Sequence, residues 1–133
     1  MKRVVLDASA VMTFFENRRG ADKVEDLIQQ AFAGKVQLLM SLINWGEVFY
    51  AVWRTQGQAV AEAKILFLGQ IPLEVVAPDM ALTKIAASFR AKHKLPYADA
   101  FAAALAVERK AEVLTSDTDF ECMKGTVEFT LLK

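Results

Sequence analysis

The stretch RVVLDAS at residues 3–9 decides the expected fold, because a short aliphatic run is followed at once by an acid and two small residues. Val and Leu in so short a run favour a buried strand, and Asp is a residue type that begins helices. Similar runs at residues 36–40, 73–77, 112–115 and 126–132 alternate with longer helical patterns. This alternation predicts an α/β fold in which a five-stranded parallel sheet lies between helices.

Three helices have recognisable ends in the sequence. Ser41 is expected to cap a helix that stops at Gly57. Asp79 is expected to cap a second helix that ends before Pro96, and an alanine-rich helix then runs to about Lys110. Because its 133 residues contain no repeat and no linker-like segment, the chain is expected to form a single domain over residues 1–133.

The composition directs attention to the acids. The 16 basic and 16 acidic side chains cancel, so no global positive field favours nucleic acid and any such surface must be local. With one cysteine, Cys122, and one histidine, His93, the chain lacks the residues for a disulfide or an ordinary Cys/His zinc site. Asp7 interrupts the apolar amino terminus, and no uncharged stretch nears the roughly 18 residues of a membrane helix. A cytoplasmic protein with no membrane contact is therefore expected.

Three acids, Asp7, Glu47 and Asp99, are each the only charge in a window of at least 12 residues. Asp7 and Asp117 follow the first and fourth expected strands, and open parallel sheets bind ligands beyond the carboxyl ends of their strands. Glu47 is expected about 9 Å along a helix that leaves this edge, and Asp99 in the first turn of another helix. No neighbouring cation compensates these charges, and a bound cation would offset both their burial and their mutual repulsion.

The residue types indicate which cation fits. Mg²⁺ and Mn²⁺ prefer oxygen ligands, whereas zinc usually recruits the His and Cys that this chain nearly lacks. Carboxylate-held cations suit phosphodiester hydrolysis, because they neutralise the phosphate and activate water. The sequence therefore favours a metal-dependent hydrolase without a protein nucleophile.

Simpler interpretations of the same acids stay open at this point. Asp7 also fits a helix N-cap, Asp99 a partner of the helix dipole, and Glu47 a helix residue that faces solvent. Asp117 and Asp119 also fit a plain Asx turn. The case for a common site rests on the four positions taken together.

These residues resemble a known family, the PIN-domain nucleases, and especially the VapC-type toxins of toxin–antitoxin pairs. The resemblance is carried by VVLDAS at residues 4–9, Asn44 with Glu47, YADAF at 97–101 and TSDTDF at 115–120. It covers essentially the whole chain, in the family's order and spacing. It implies a three-layer fold with strand order 3-2-1-4-5, in which the first and fourth strands are neighbours.

The resemblance also implies roles for individual residues. It assigns Asp7, Glu47, Asp99 and Asp117 to the four acids that bind Mg²⁺ or Mn²⁺ and activate water. Ser9 and Thr115 resemble supporting hydroxyls, and Asp119 resembles a supporting acid. The implied activity is that of an endoribonuclease on RNA, and the implied partner is a small antitoxin.

Other surfaces have two interpretations each. The candidates for RNA contact are basic residues that also fit a solvated helix end or turn: Arg18, Arg19, Lys92, His93 and Lys94. The helix over residues 41–56 and the ILFL run at 65–68 carry more apolar faces than one core needs. We expect a homodimer or an antitoxin-binding groove there, the alternative being cover by neighbouring helices of the same chain.

Four other functions share parts of this sequence pattern. A PIN-like module that binds RNA or protein without turnover is distinguished by loss of acids, and here all four positions are filled. An RNA-processing PIN nuclease with no antitoxin remains an alternative. An aspartyl-phosphate phosphatase needs a second aspartate two residues after the first, where this chain has Ser9. The acid pairs and lysine of a receiver domain are also missing.

Overall fold

Five parallel strands form the central sheet, in the order β3-β2-β1-β4-β5. The computed structural model describes residues 1–133. The strands are β1 (Lys2–Leu6), β2 (Val36–Ser41), β3 (Leu73–Val76), β4 (Glu112–Thr115) and β5 (Phe129–Leu131). Because β1 lies between β2 and β4, the ends of β1 and β4 are adjacent, as the resemblance implied.

Helices cover both faces of the sheet. Val4 and Leu6 pack into one core with α1 (Ala8–Phe15), α2 (Ala21–Phe32), α3 (Leu42–Gln56) and α4 (Gln58–Leu68). Val5 points to the opposite face, where α5 (Met80–Lys92), α6 (Tyr97–Arg109) and a 3₁₀ helix (Thr118–Met123) form the second core. Strands buried on both faces explain why the sequence shows continuous aliphatic runs rather than alternation. No helix combines the length and the apolar character needed to cross a membrane.

The expected helix ends are confirmed. The Ser41 hydroxyl accepts a hydrogen bond from the Ile43 N–H at 3.2 Å, and α3 ends at Gly57, whose φ of 93° favours glycine. The Asp79 carboxylate accepts from the Leu82 N–H at 2.8 Å and caps α5. These local caps fix where α3 and α5 leave the sheet.

The last strand is shorter than expected. The sequence predicted a strand over residues 126–132, whereas β5 covers only Phe129–Leu131. The N–H groups of Thr126 and Val127 both donate to the Met123 carbonyl, at 2.9 and 3.0 Å, and close the turn after the 3₁₀ helix. Their β-branched side chains resemble a strand in sequence, but their hydrogen bonds belong to a turn.

Candidate active site

The candidate site lies at the carboxyl edge of the sheet, between the ends of β1 and β4. Leu6 pairs with Leu114 in the sheet, and the Asp7 N–H donates to the Leu114 carbonyl at 3.4 Å. Asp7 is therefore level with Thr115, two residues before Asp117, at the same edge of the sheet. The first halves of α3 and α6 bring Glu47 and Asp99 to this edge, where the charges of Asp117, Asp7 and Glu47 act on Asp99.

Asp7 is a buried carboxylate that also caps α1. Its side chain is only 1% exposed, and Oδ1 accepts hydrogen bonds from the Ala10 N–H at 2.8 Å and the Ser9 hydroxyl at 2.7 Å. Oδ2 accepts from the Thr115 hydroxyl at 2.5 Å. Burial raises the pKa of Asp7 to about 6, and the hydrogen bonds from Thr115, Ser9 and Ala10 oppose that rise. Oδ2 accepts only the hydrogen bond from Thr115, although a carboxylate oxygen can accept about two.

Two hydroxyl groups join the loops that carry Asp7 and Asp117. The Thr115 hydroxyl accepts from the Asp117 N–H at 2.9 Å while it donates to Asp7. The Ser9 hydroxyl accepts from the Ser116 N–H at 2.9 Å and lies 3.1 Å from the Thr115 hydroxyl. The structure thus places Ser9 and Thr115 against the acids they were expected to support.

Asp99, Asp117 and Asp119 form the tightest group of carboxylates. One ligand oxygen from each lies within 4.8 Å of the other two. Burial raises the pKa of Asp99 to about 8, and a hydrogen bond to Asp117 and the charges of its acidic neighbours add to the rise. The charge of Asp117 also raises the pKa of the exposed Asp119. Asp117 accepts from the Asp119 N–H at 2.9 Å, so the Asx turn and the acid group are the same feature.

Glu47 is half-buried and accepts a hydrogen bond from the side-chain amide of Asn44, a residue for which the sequence predicted no role of its own. Asn44 Nδ2 donates to Glu47 Oε1 at 2.9 Å and to the Ala98 carbonyl at 3.2 Å. Asn44 is completely buried. The position of Asn44, three residues before a solitary acid, was the signal in the sequence that could have predicted its contact with Glu47. Its contact with Ala98 depends on how α3 packs on α6, so no signal for it was present in the sequence.

No basic side chain neutralises these acids. The three ion pairs of the protein join Lys2 to Glu112, Arg18 to Glu16 and Arg109 to Glu74, and none includes a site residue. The atoms available to bind a cation at this edge are carboxylate oxygens. Burial and like charge raise the pKa of two of the buried groups, Asp7 and Asp99. This donor set fits a hard divalent cation such as Mg²⁺ or Mn²⁺.

The basic candidates lie outside the acid group. Lys92 ends α5, and His93 and Lys94 follow it in the turn that leads to α6 and Asp99. Arg18 and Arg19 come after the far end of α1, whose eight residues span about 12 Å from Asp7. Arg18 pairs with Glu16 at 2.5 Å. Lys92 and Lys94 are therefore nearer to Asp99 along the chain than Arg18 and Arg19 are to Asp7, and a role in RNA contact stays a prediction for all of these residues.

The strand order and the acidic edge define a three-layer α/β domain of the PIN type. The PIN domain family matches residues 4–125. The chain therefore belongs to the PIN domain family.

Solved structures of the same fold include toxin–antitoxin proteins, at low sequence identity. A DNA-bound VapBC from Salmonella typhimurium is 19% identical over the full length of both chains, with a TM-score of 0.74. VapBC2 from Rickettsia felis is 14% identical over 98% of this chain and 99% of its own, with a TM-score of 0.75. VapC20 from Mycobacterium tuberculosis, a Sarcin-Ricin loop cleaving toxin, is 15% identical over 93% and 95% of the two chains, with a TM-score of 0.69. No curated protein matches the sequence.

Proposed function

We propose that this protein is a Mg²⁺- or Mn²⁺-dependent endoribonuclease whose catalytic, metal-binding residues are Asp7, Glu47, Asp99 and Asp117. The observation that carries the proposal is that four acids meet at one edge without a basic partner, although burial disfavours the charge on Asp7 and Asp99. Like charges held together in this way are unfavourable unless a cation joins them. Membership of the PIN family supports the same chemistry.

The residues of the chain prepare the site before any substrate binds. Three hydrogen bonds hold Asp7 in one orientation, and the Thr115 hydroxyl fixes the backbone of Asp117 against it. Burial and the hydrogen bond to Asp117 raise the pKa of Asp99 to about 8, which favours a proton shared by these two carboxyl groups near neutral pH, and a bound cation would displace that proton. Asp119 supports the group by adding a third oxygen beside Asp99 and Asp117. A divalent cation bound there would supply charge neutralisation for the phosphate and activation of water.

The substrate we propose is single-stranded or loop RNA. Sequence-specific recognition of RNA mostly uses single-stranded loops, bulges and ends, whose unstacked bases a protein can contact, whereas a continuous duplex presents mainly its shape and backbone. We propose that Lys92 and Lys94, which precede α6, contact the RNA backbone, with Arg18 and Arg19 as further candidates. Because the net charge of the chain is zero, binding must rely on such local groups.

The purified protein tests this proposal directly. We expect cleavage of a structured RNA in MgCl₂ or MnCl₂, no cleavage in excess EDTA, and loss of cleavage by at least about 100-fold in Asp99→Asn. Glu62→Gln is the matched control, because Glu62 is an exposed acid on α4 outside the site. Full activity in chelator, or wild-type activity of Asp99→Asn, would contradict the proposed metal site.

The proposal includes protein partners and a role as the cytoplasmic toxin of a toxin–antitoxin pair. The chain does not cover its own apolar surface: on α3, Ile43, Tyr50 and Trp53 are 37%, 52% and 43% exposed. Two hollows of about 440 and 480 Å³ between α1, α2 and α4 share Phe14 and Phe67. We assign α3 to a homodimer and the hollows to a small antitoxin, since the VapBC structures that share this fold are toxin–antitoxin proteins. A monodisperse monomer that binds no product of a neighbouring gene would contradict both assignments.

A further inference from the structure

Asn44 lies at the junction of the two helices that carry Glu47 and Asp99. It is three residues before Glu47, so both side chains lie on one face of α3. Its Nδ2 donates to Glu47 Oε1 at 2.9 Å and to the carbonyl of Ala98, the residue before Asp99, at 3.2 Å. One amide group thus connects a candidate ligand on α3 to the first turn of α6.

The orientation of this amide follows from its partners. A carboxylate and a carbonyl both accept hydrogen bonds, so only the NH₂ group of Asn44 can face them. This leaves Oδ1 on the other side, where it is buried and accepts no hydrogen bond from the protein. A leucine of the same shape would remove this unpaired acceptor, but it would also remove the hydrogen bonds that Glu47 and the Ala98 carbonyl accept. The contribution of Asn44 to fold stability is therefore a balance of opposing effects.

We infer that Asn44 is a positioning residue, which fixes the Glu47 carboxylate against α6 and thereby sets the affinity of the acid group for a divalent cation. This inference rests on the proposed function, because it takes Glu47 to be a cation ligand. With Oε1 held by Asn44, Oε2 stays free to bind the cation. Without Asn44 the half-buried Glu47 side chain samples several rotamers, and that freedom is lost when the cation binds.

Two substitutions separate positioning from stability. In Asn44→Leu we expect the melting temperature of the cation-free protein to change little, because removal of the unpaired acceptor offsets the two lost hydrogen bonds, and the Mn²⁺ Kd from calorimetry to weaken by about 10-fold. In Asn44→Ala the cavity lowers the melting temperature, and the Kd weakens by the same factor. Ser41→Ala is the control: it removes the cap of α3 and lowers the melting temperature, but leaves the Glu47 contact intact and the Kd within about twofold of wild type.

A double-substitution cycle tests whether Asn44 acts through Glu47. If it does, Asn44→Leu combined with Glu47→Gln binds Mn²⁺ no more weakly than Glu47→Gln alone. The inference would be overturned if the losses of Mn²⁺ affinity in the two single variants added in the double variant. It would also be overturned if the Kd followed the melting temperature across the variants. An unchanged Kd in Asn44→Leu, beside a wild type that binds Mn²⁺ and cleaves RNA, overturns the inference alone. A wild type that binds no Mn²⁺ overturns the proposed function and the inference with it.

Discussion

Replacing Asp7 by asparagine is expected to stabilise the cation-free protein. Asparagine has nearly the same shape and also caps helices, so α1 keeps its first hydrogen bond. The substitution removes a negative charge that is 1% exposed and whose pKa burial raises from 3.8 to about 6, and it also replaces Oδ2, the acceptor of the Thr115 hydroxyl, by an amide nitrogen. The effect on stability must therefore depend on pH.

The sign and size follow from the pKa of Asp7 in the two states. Between pH 4 and pH 6 the folded protein binds the Asp7 proton more tightly than the unfolded chain does, so stability is lost as the pH rises. Above pH 6 the loss is complete, and two pKa units correspond to about 3 kcal/mol. Asp7→Asn avoids this loss, so we expect it to unfold roughly 10 °C above wild type at pH 7.5 and close to wild type at pH 4.

Urea unfolding in EDTA across pH 4 to pH 8 measures this difference. Asp26→Asn is the control, because Asp26 is an exposed acid on α2 outside the site. Saturating Mn²⁺ should stabilise wild type more than Asp7→Asn and narrow the gap, since binding to the folded state adds to stability. A variant that is less stable than wild type at pH 7.5, or a difference that does not change with pH, would refute the electrostatic reasoning.

Three further outcomes are expected. Because the pKa of Asp99 lies at about 8, Mn²⁺ binding at pH 7 should release close to one proton, and its affinity should increase as the pH rises to 8. Calorimetry in two buffers of different ionisation enthalpy measures the number of protons released. Binding without proton release would contradict the assignment of Asp99 as a ligand. Thr115→Val removes the donor to Asp7 and the acceptor for the Asp117 N–H, so RNA cleavage should fall at least about 10-fold, whereas Thr115→Ser keeps both contacts and most activity. In light scattering, Trp53→Lys should give a 14.7 kDa species, whereas wild type should give about twice that mass. Equal masses for the two proteins would contradict the assignment of α3 to the dimer interface.

Much of the fold and the location of the site could be predicted from local sequence. Caps such as Ser41 and Asp79 act on N–H groups two or three residues away, so the chain nearby contains the whole interaction. The positions of Asp7 and Asp117 required only the rule that sites form at the carboxyl edge of a parallel sheet. The strand order came from the family resemblance, since local pattern does not choose between neighbours.

The contacts between distant residues could not be predicted in this way. Thr115 donates to Asp7 across 108 positions of sequence, and Asn44 reaches Ala98 across 54. Such contacts depend on the packing of one element on another, and so does the burial that raises the pKa of Asp7. The start of β5 was missed for a related reason, because Thr126 and Val127 bond to the preceding 3₁₀ helix rather than to the sheet.

The structural interpretation of Asp7 is confirmed because its side chain caps α1, whereas its role as a cation ligand stays a prediction. Capping of α1 needs only a side-chain oxygen that accepts from the Ala10 N–H, which asparagine or serine would supply with no charge. The carboxylate instead lowers the free energy of unfolding by about 3 kcal/mol near neutral pH, because its pKa is raised by about two units. The cap and the hydrogen bonds from Ser9 and Thr115 need accepting oxygens but not a negative charge. The charge on Asp7 therefore lowers stability without serving the fold, as is expected of a carboxylate that binds a cation.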